Sequence, residues 1–318
     1  MELPPFISHL KAQPTWVLLL SSLGFLSLLQ TSITLLKWFY AAFLRRGKDL
    51  KAYGSWALVT GATDGIGKAF AFQLAHLGLN LVLIGRNPNK LRQVSNEIKA
   101  KHPCTEIKLV VIDLAGDLSD GIRSLEEDIK GLDVGIMVNN AGMTYPRFMY
   151  FDEVEEELWE GIVKVNVEAT TRVTRAVLPG MIKRGRGAVV SIGSGSSVVV
   201  PSFPLSAVYA ASKAYVNQFS KSLYVEYKSM GIDVQCQIPL YVATKMVGIK
   251  QSSVFVPSPD VYASAAMRWI GYEPLCTPYW LHYIQWCLAY LFPDFILNSW
   301  LLHVGNRKKS QIKKLRRE

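Results

Sequence analysis

Charge, cysteine and histidine are all sparse in this 318-residue chain, and each shortage removes a class of function. Only 19% of the residues are charged while 50% are hydrophobic, which lies outside the disordered range and leans toward membrane contact. Four cysteines (Cys104, Cys236, Cys276, Cys287) form no Cys-x-x-Cys pair and have no histidine close by in sequence. They suit neither a disulfide framework nor a zinc site, and read as reduced thiols facing the cytosol. His9, His76, His102, His282 and His303 are scattered and offer no metal set or triad. The formal charge of +10 sits on the flanks: residues 1–51 carry +4, residues 307–318 carry +6, and residues 52–306 are neutral. The body therefore makes no electrostatic case for nucleic acid.

What the chain does have is one long apolar run. Residues 16–36 are free of charge, and as a helix they would reach about 31 Å, enough for a hydrocarbon core of about 30 Å. A cleaved secretory leader competes with this reading, but its apolar region is usually only about 7 to 15 residues, and no small-x-small site closes this run. Lys37, Arg45, Arg46, Lys48 and Lys51 follow the span and only Lys11 precedes it, so the remainder of the chain is expected in the cytosol. Trp38, Phe39, Tyr40 and Phe43 suit an aromatic belt. Residues 279–302 are apolar too, but His282, Gln285, Pro293, Asp294 and Asn298 interrupt them. A second crossing would carry the basic tail to the wrong side, so an interfacial or core-packed helix pair is expected. The tail itself reads as a solvated, mobile terminus lying against anionic lipid. This gives four segments: an anchor and basic linker over 1–51, a main domain over 52–273, an apolar membrane-associated or substrate-tunnel segment over 274–306, and a basic tail over 307–318.

Ser55 to Thr60 reads as a buried strand running into Gly61-Ala62-Thr63-Asp64-Gly65-Ile66-Gly67, with a helical pattern over 68–77. That context gives the glycines meaning, because they let backbone approach a pyrophosphate at a helix N-terminus, where N–H groups and the macrodipole favour anions. A second strand over 79–84 ends in Gly85-Arg86-Asn87, with a cation where NAD-binding chains usually place an acid. Arg86 suits the extra phosphate of NADP, against the plainer reading of a solvated loop charge, while Asp64 tells mildly against phosphate. Further apolar strands at 107–112, 134–138, 188–192 and 233–238 alternate with helix-length segments. The expected fold is α/β, a Rossmann-type doubly wound parallel sheet of six or seven strands.

Tyr209-Ala210-Ala211-Ser212-Lys213 sets a phenol and an ammonium one helical turn apart. A tyrosine titrating near pH 10 needs about 4 kcal/mol of help to reach pH 7, which a close cation can largely supply. As a bare spacing the pattern is common surface decoration. Here, however, Thr60-Gly61-x-x-x-Gly65-Ile66-Gly67, Asn139-Asn140-Ala141-Gly142, Asn166, Ser194 and Tyr209-x-x-x-Lys213 occur in order, and together they resemble the short-chain dehydrogenase/reductases over about residues 53–250.

The resemblance implies that Tyr209 protonates a ketone oxygen and that Lys213 lowers its pKa and binds the nicotinamide ribose. It implies further that Ser194 hydrogen-bonds the substrate carbonyl and that Asn166 holds a relay water. Position at the strand end favours Ser194 over Ser196, although the spacing to the tyrosine suits Ser196 better. The implied cofactor contacts are Gly61, Thr63, Asp64, Gly65, Ile66, Gly67, Arg86, Asp113, Asn140, Tyr209, Lys213 and Thr244. Without the resemblance, Asn166 would read as a helix-bending polar group, Asn139 to Gly142 as a turn, and Asp113 as a helix cap. Pro239-Leu240-Tyr241-Val242-Ala243-Thr244 departs from the family's Pro-Gly loop at Leu240.

Residues 61–70 and 231–246, with the anchor, are similar to a narrower group: the membrane-anchored very-long-chain 3-oxoacyl-CoA reductases, especially the plant type, and the related 17β-hydroxysteroid dehydrogenases. This implies an NADPH-dependent enzyme of the endoplasmic reticulum, with its catalytic domain facing the cytosol. It would reduce long-chain 3-oxoacyl-CoA beside other fatty-acid elongation enzymes, and homo-oligomers are conceivable in the family. Steroid or other lipid ketones, and a non-catalytic NADP-binding scaffold, are the competing readings. The tail resembles a dilysine retrieval signal with Lys313-Lys314 set further in than usual.

Overall fold

The computed structural model describes the backbone of residues 13–315 and the side chains of residues 13–311. Lys11, His9 and the Lys313-Lys314 pair, with the retrieval reading that rests on it, lie outside the described side chains. The described residues fall into two compact units, one ending at Arg46 and the other beginning at Gly47.

In the first unit, α1 (Thr15–Phe39) runs from behind Pro14 and passes into a π-type turn over Tyr40–Leu44. None of its residues is buried, and its length is about 37 Å at 1.5 Å per residue. Among the described residues, Thr15–Leu44 is the one continuous helix long and apolar enough to cross a membrane. The aromatic belt residues touch one another, with Phe43 5.9 Å from Trp38 and 5.1 Å from Phe39, ring centre to ring centre.

The second unit follows a repeating strand-helix order. It comprises β1 (Trp56–Thr60), α2 (Gly65–His76), β2 (Asn80–Gly85), α3 (Pro88–Lys101), β3 (Ile107–Val111), α4 (Ser119–Ile129) and β4 (Val134–Asn139). Next come α5 (Glu156–Val163), a π-type turn over Lys164–Ala169, α6 (Thr170–Arg184), β5 (Gly187–Ile192) and α7 (Ala207–Tyr227). The chain ends with β6 (Ile232–Gln237), α8 (Pro259–Met267), β7 (Leu275–Cys276), α9 (Trp280–Tyr290) and α10 (Asp294–Leu315). All strand pairs are parallel, in the order β3-β2-β1-β4-β5-β6-β7. The expected strands are present within two residues at each end, and the two-residue β7 is an addition.

Helices begin where local chemistry allows. Asn87 accepts from Lys90 N at 3.0 Å ahead of Pro88, and Ser258 accepts from Val261 N ahead of Pro259. Both faces of the sheet are covered, which is why its strands read as continuous apolar runs. Ala57, Val59, Leu81 and Leu83 pack with Phe70 and Leu74 on one face. Leu58, Val82, Val189 and Val234 pack with Leu125, Val173 and Val177 on the other. Each such large side chain contributes about 1.5 to 3 kcal/mol when fully buried.

The strand order reverses direction between β1 and β4, so a crevice opens beyond their carboxyl ends. Residues 47–51, expected as linker, belong to this unit: Leu50 is buried beside Tyr53, and Tyr53 and Lys48 (2.9 Å) both bond Asp233 on β6. The C-terminal apolar stretch forms the expected helix pair, α9 and α10, bent by 117°. Helix α10 continues into the tail as far as Leu315. Lys309 fixes it by pairing with Glu153 at 2.6 Å.

Candidate active site

The glycine loop lies at the crevice and each glycine has a spatial reason. Gly61 and Gly65 adopt positive φ of 64° and 53°. A Cβ at Gly67 would stand 2.3 Å from Asn140 Nδ2, and one at Gly61 would stand 2.9 Å from Ala141 Cα. Asn140 itself is spent on the loop: its Nδ2 donates to Thr60 O at 3.0 Å and to Gly61 O at 3.3 Å. Thr60 Oγ1 accepts from Asn140 N and Ala141 N, both at 3.0 Å, so it ties the end of β1 to the end of β4. Thr60 is a functional position that the motif contains but the sequence reading left without a role. The bare, close-packed cradle at the start of α2 fits a dinucleotide pyrophosphate.

Asp64 caps α2 by accepting from Gly65 N at 2.8 Å, and its other oxygen pairs with Lys245 at 2.8 Å. Partial burial acts to raise the Asp64 carboxyl, yet Lys245, the Gly65 N–H and the charge of Lys90 together hold it below its usual value. The acid expected to repel phosphate is thus offset by two lysines from distant parts of the chain. Arg86 extends exposed from the end of β2 without an ion-pair partner among the described residues. The neighbouring Gly85 packs on Thr63, with a Cβ there only 3.2 Å from Thr63 Cγ2. Thr244 faces Gly65 from across the crevice, 3.2 Å from where a Cβ would stand. Asp113 is not the helix cap that was the alternative: it accepts from Ala115 N at 3.1 Å and closes a turn, while α4 begins at Ser119.

Four catalytic candidates converge beyond β5. Ser194 Oγ accepts from Ser196 N at 3.2 Å and from Ser196 Oγ at 2.9 Å, so Ser196 supports Ser194. Ser194 also lies near enough to the Tyr209 phenol to favour its charged form. Lys213 is 5% exposed and donates to Ile192 O at 2.8 Å. Burial pulls its ammonium down to about 8. The expected lowering of Tyr209 is not found. Burial raises its phenol, the Ser194 hydroxyl partly opposes this, and Lys213 adds nothing. The reason is direction: Lys213 turns its ammonium to the Ile192 carbonyl of β5.

Asn166 sits in the π-type turn over Lys164–Ala169, a distortion frequent at functional sites. Its Oδ1 accepts from Met143 N at 2.7 Å, and its Nδ2 donates to Met143 O at 3.0 Å and to Ser212 Oγ at 2.8 Å. The side chain clamps the loop after β4 to α7, with both Nδ2 hydrogens taken.

Two groups at the mouth had no sequence signal because only the fold brings them there. Tyr241 lies close enough to act electrostatically on Tyr209. His282 on α9 is fully buried, accepts from Leu240 N at 3.3 Å and meets Tyr241 O at 3.1 Å. Burial brings its pKa down to about 4. A neutral imidazole with Nε2 protonated satisfies both contacts and pins the loop that departs from Pro-Gly. Across the mouth, Leu205 holds a positive φ of 64° just before α7, and Gly305 of α10 packs against it.

Comparison with known proteins agrees with this geometry. Residues 55–253 match the family model described as short chain dehydrogenase. A very-long-chain 3-oxoacyl-CoA reductase-like protein of Arabidopsis thaliana is 52% identical, over 94% of this chain and 97% of its own. The human inactive hydroxysteroid dehydrogenase-like protein 1 is 42% identical, over 82% of this chain and 79% of its own. Among solved structures, a short-chain dehydrogenase from Sphingobium yanoikuyae in complex with NADPH is similar at a TM-score of 0.59 and 30% identity, covering 67% of this chain and 82% of that one.

Proposed function

The chain belongs to the short-chain dehydrogenase family, and from that premise we propose that it is a membrane-anchored, NADPH-dependent reductase of very-long-chain 3-oxoacyl-CoA. The product would be the 3-hydroxyacyl-CoA of fatty-acid elongation. The observation that carries the reading is the convergence of Ser194, Tyr209 and a buried Lys213 bonded to the end of β5.

The cofactor would rest on Gly61, Thr63, Gly65, Ile66 and Gly67, with Arg86 facing the 2′-phosphate and Thr244 closing the opposite side. Asp113 would face the adenine, and Asn140 would hold the cradle from behind. Bound NADPH supplies the hydride that reduces the ketone. Ser194 hydrogen-bonds the ketone oxygen, and Tyr209 delivers a proton to it as charge develops. A buried phenol that stays protonated at neutral pH is the form able to donate. Lys213, still largely protonated at pH 7, holds the ribose and restores the proton to Tyr209, by way of a water at the backbone of the turn around Asn166.

The name of the Arabidopsis relative supports an acyl-CoA substrate. The long apolar α1 supports an anchor, for which the endoplasmic reticulum, a cytosol-facing body and partnership with other elongation enzymes are the matching setting. A human relative named inactive favours the second reading, a non-catalytic NADP-binding scaffold. NADPH oxidation by the full-length protein in detergent, offered a long-chain 3-oxoacyl-CoA and a 17-ketosteroid, separates these. Acyl-CoA turnover lost in Tyr209→Phe by about a hundredfold or more is expected. Steroid preference would replace the substrate, and NADPH binding without turnover would leave the scaffold.

A further inference from the structure

The last turns of the basic α10 pack on Leu205, Phe148 and Tyr241, and two adjacent lysines there differ in what they meet. Lys309 is neutralised by Glu153 and lies over the Tyr150 ring at 4.4 Å. Lys308 lies over two rings instead, 5.6 Å from the centre of Phe148 and 5.7 Å from that of Tyr241. It makes no ion pair among the described residues and is exposed. The aromatic seat fixes its position while leaving its charge unneutralised. Packing sets its place further: Gly305 fits against Leu205 and Phe148, and Tyr150 OH donates to Asn306 Oδ1 at 3.1 Å. One ring of the seat, Tyr241, lies near enough to Tyr209 to act on it electrostatically, which ties this cation to the neighbourhood of the catalytic tyrosine. Arg147, next to Phe148 in sequence, and Arg307, next to Lys308, are exposed cations.

We propose that Lys308 is an anion-binding subsite for the substrate, taking the phosphate end of a coenzyme A thioester whose 3-ketone lies at Ser194 and Tyr209. This rests on the thioester reading above and deepens it. An uncharged lipid ketone has no group for this cation, so the subsite discriminates between the two substrate classes. The ketone and its tail would fill the pocket while the diphosphate stays outside, against Lys308.

The test compares one 3-oxoacyl chain carried by coenzyme A with the same chain carried by N-acetylcysteamine, which keeps ketone and thioester but lacks phosphate. With the full-length protein in detergent, Lys308→Gln should raise KM for the coenzyme A thioester about tenfold. It should leave KM for the N-acetylcysteamine thioester and kcat for both unchanged. Lys308→Arg should recover most of the loss, and added salt should narrow the gap between wild type and Lys308→Gln. Equal KM increases for both thioesters would mean that Lys308 only seats α10, and no increase for either would mean that phosphate binds elsewhere; each overturns the subsite alone. Wild-type protein that binds NADPH but reduces neither thioester overturns the functional reading, and the subsite with it.

Discussion

Leu240 and Gly195 are packed as a matched pair, with Leu240 Cγ 3.2 Å from where a Cβ at 195 would stand. Gly195 N also donates to Pro239 O at 2.9 Å, so the loops carrying Ser194 and Tyr241 move as one. A leucine where the family's loop has glycine is thereby accommodated by a glycine across the interface. Gly195→Val should force the two loops apart and cost about 1 to 3 kcal/mol through overpacking. Gly195→Val combined with Leu240→Gly should recover much of that loss. Urea unfolding and turnover of the two proteins check this, and a double variant no better than the single one refutes the pairing.

Much of this site was legible in sequence because its chemistry is local. Buried parallel strands read as apolar runs, and the glycines mark backbone that must lie close to another backbone. What escaped the sequence depends on tertiary placement. Lys245 offsets Asp64 only because the loop after β6 folds over the start of α2. His282 meets the loop after β6 only because α9 packs back on it, and Lys308 meets Tyr241 only because α10 turns 117° from α9. The direction of the Tyr209 shift was misjudged for the same reason, since spacing along a helix says which residues share a face and not where their long side chains end.

Arg86 is the exposed cation best placed to discriminate between cofactors. Arg86→Ala should weaken NADPH by about tenfold or more while leaving NADH nearly unchanged, because a charge-assisted contact to phosphate exists only for the former. Fluorescence titration with both nucleotides measures this. Equal losses would assign Arg86 to the loop rather than to the phosphate.

His282 makes the fold sensitive to mild acid. Its pKa is about 4 in the folded protein against an ordinary 6.5, so between these values the unfolded chain binds the extra proton and the folded one does not. Stability is therefore full above about pH 6.5 and falls as pH drops toward 4, by about 3 kcal/mol in all. The surrounding rings of Tyr262 and Tyr279 carry no charge in that range. His282→Gln, which can still accept and donate, should flatten this dependence in urea melts between pH 4 and 6.5. An unchanged slope would locate the acid sensitivity elsewhere.

The bend between α9 and α10 gathers several exposed apolar side chains. Tyr290 is 85% exposed, Leu291 75% and Phe295 70%, with Phe292 and Trp300 beside them. A groove of about 460 Å³ runs beneath, between residues 198–201 of the serine loop and Ala289, Tyr290, Phe292, Asp294 and Leu297. A surface of this kind is costly in water and suits the lipid interface of an anchored protein, where a long acyl tail would already reside. A nitrobenzoxadiazole probe on Leu291→Cys, with Cys104 and Cys287 replaced by serine, should shift to the blue when the full-length protein enters nanodiscs. Leu291→Asp with Phe295→Asp should raise KM for very long 3-oxoacyl chains several-fold more than for short ones, since each carboxylate disfavours lipid by about 2 to 3 kcal/mol. The anchor is untouched in both variants, so the readout belongs to the bend. An unshifted probe with equal KM changes at every chain length would place the bend in water.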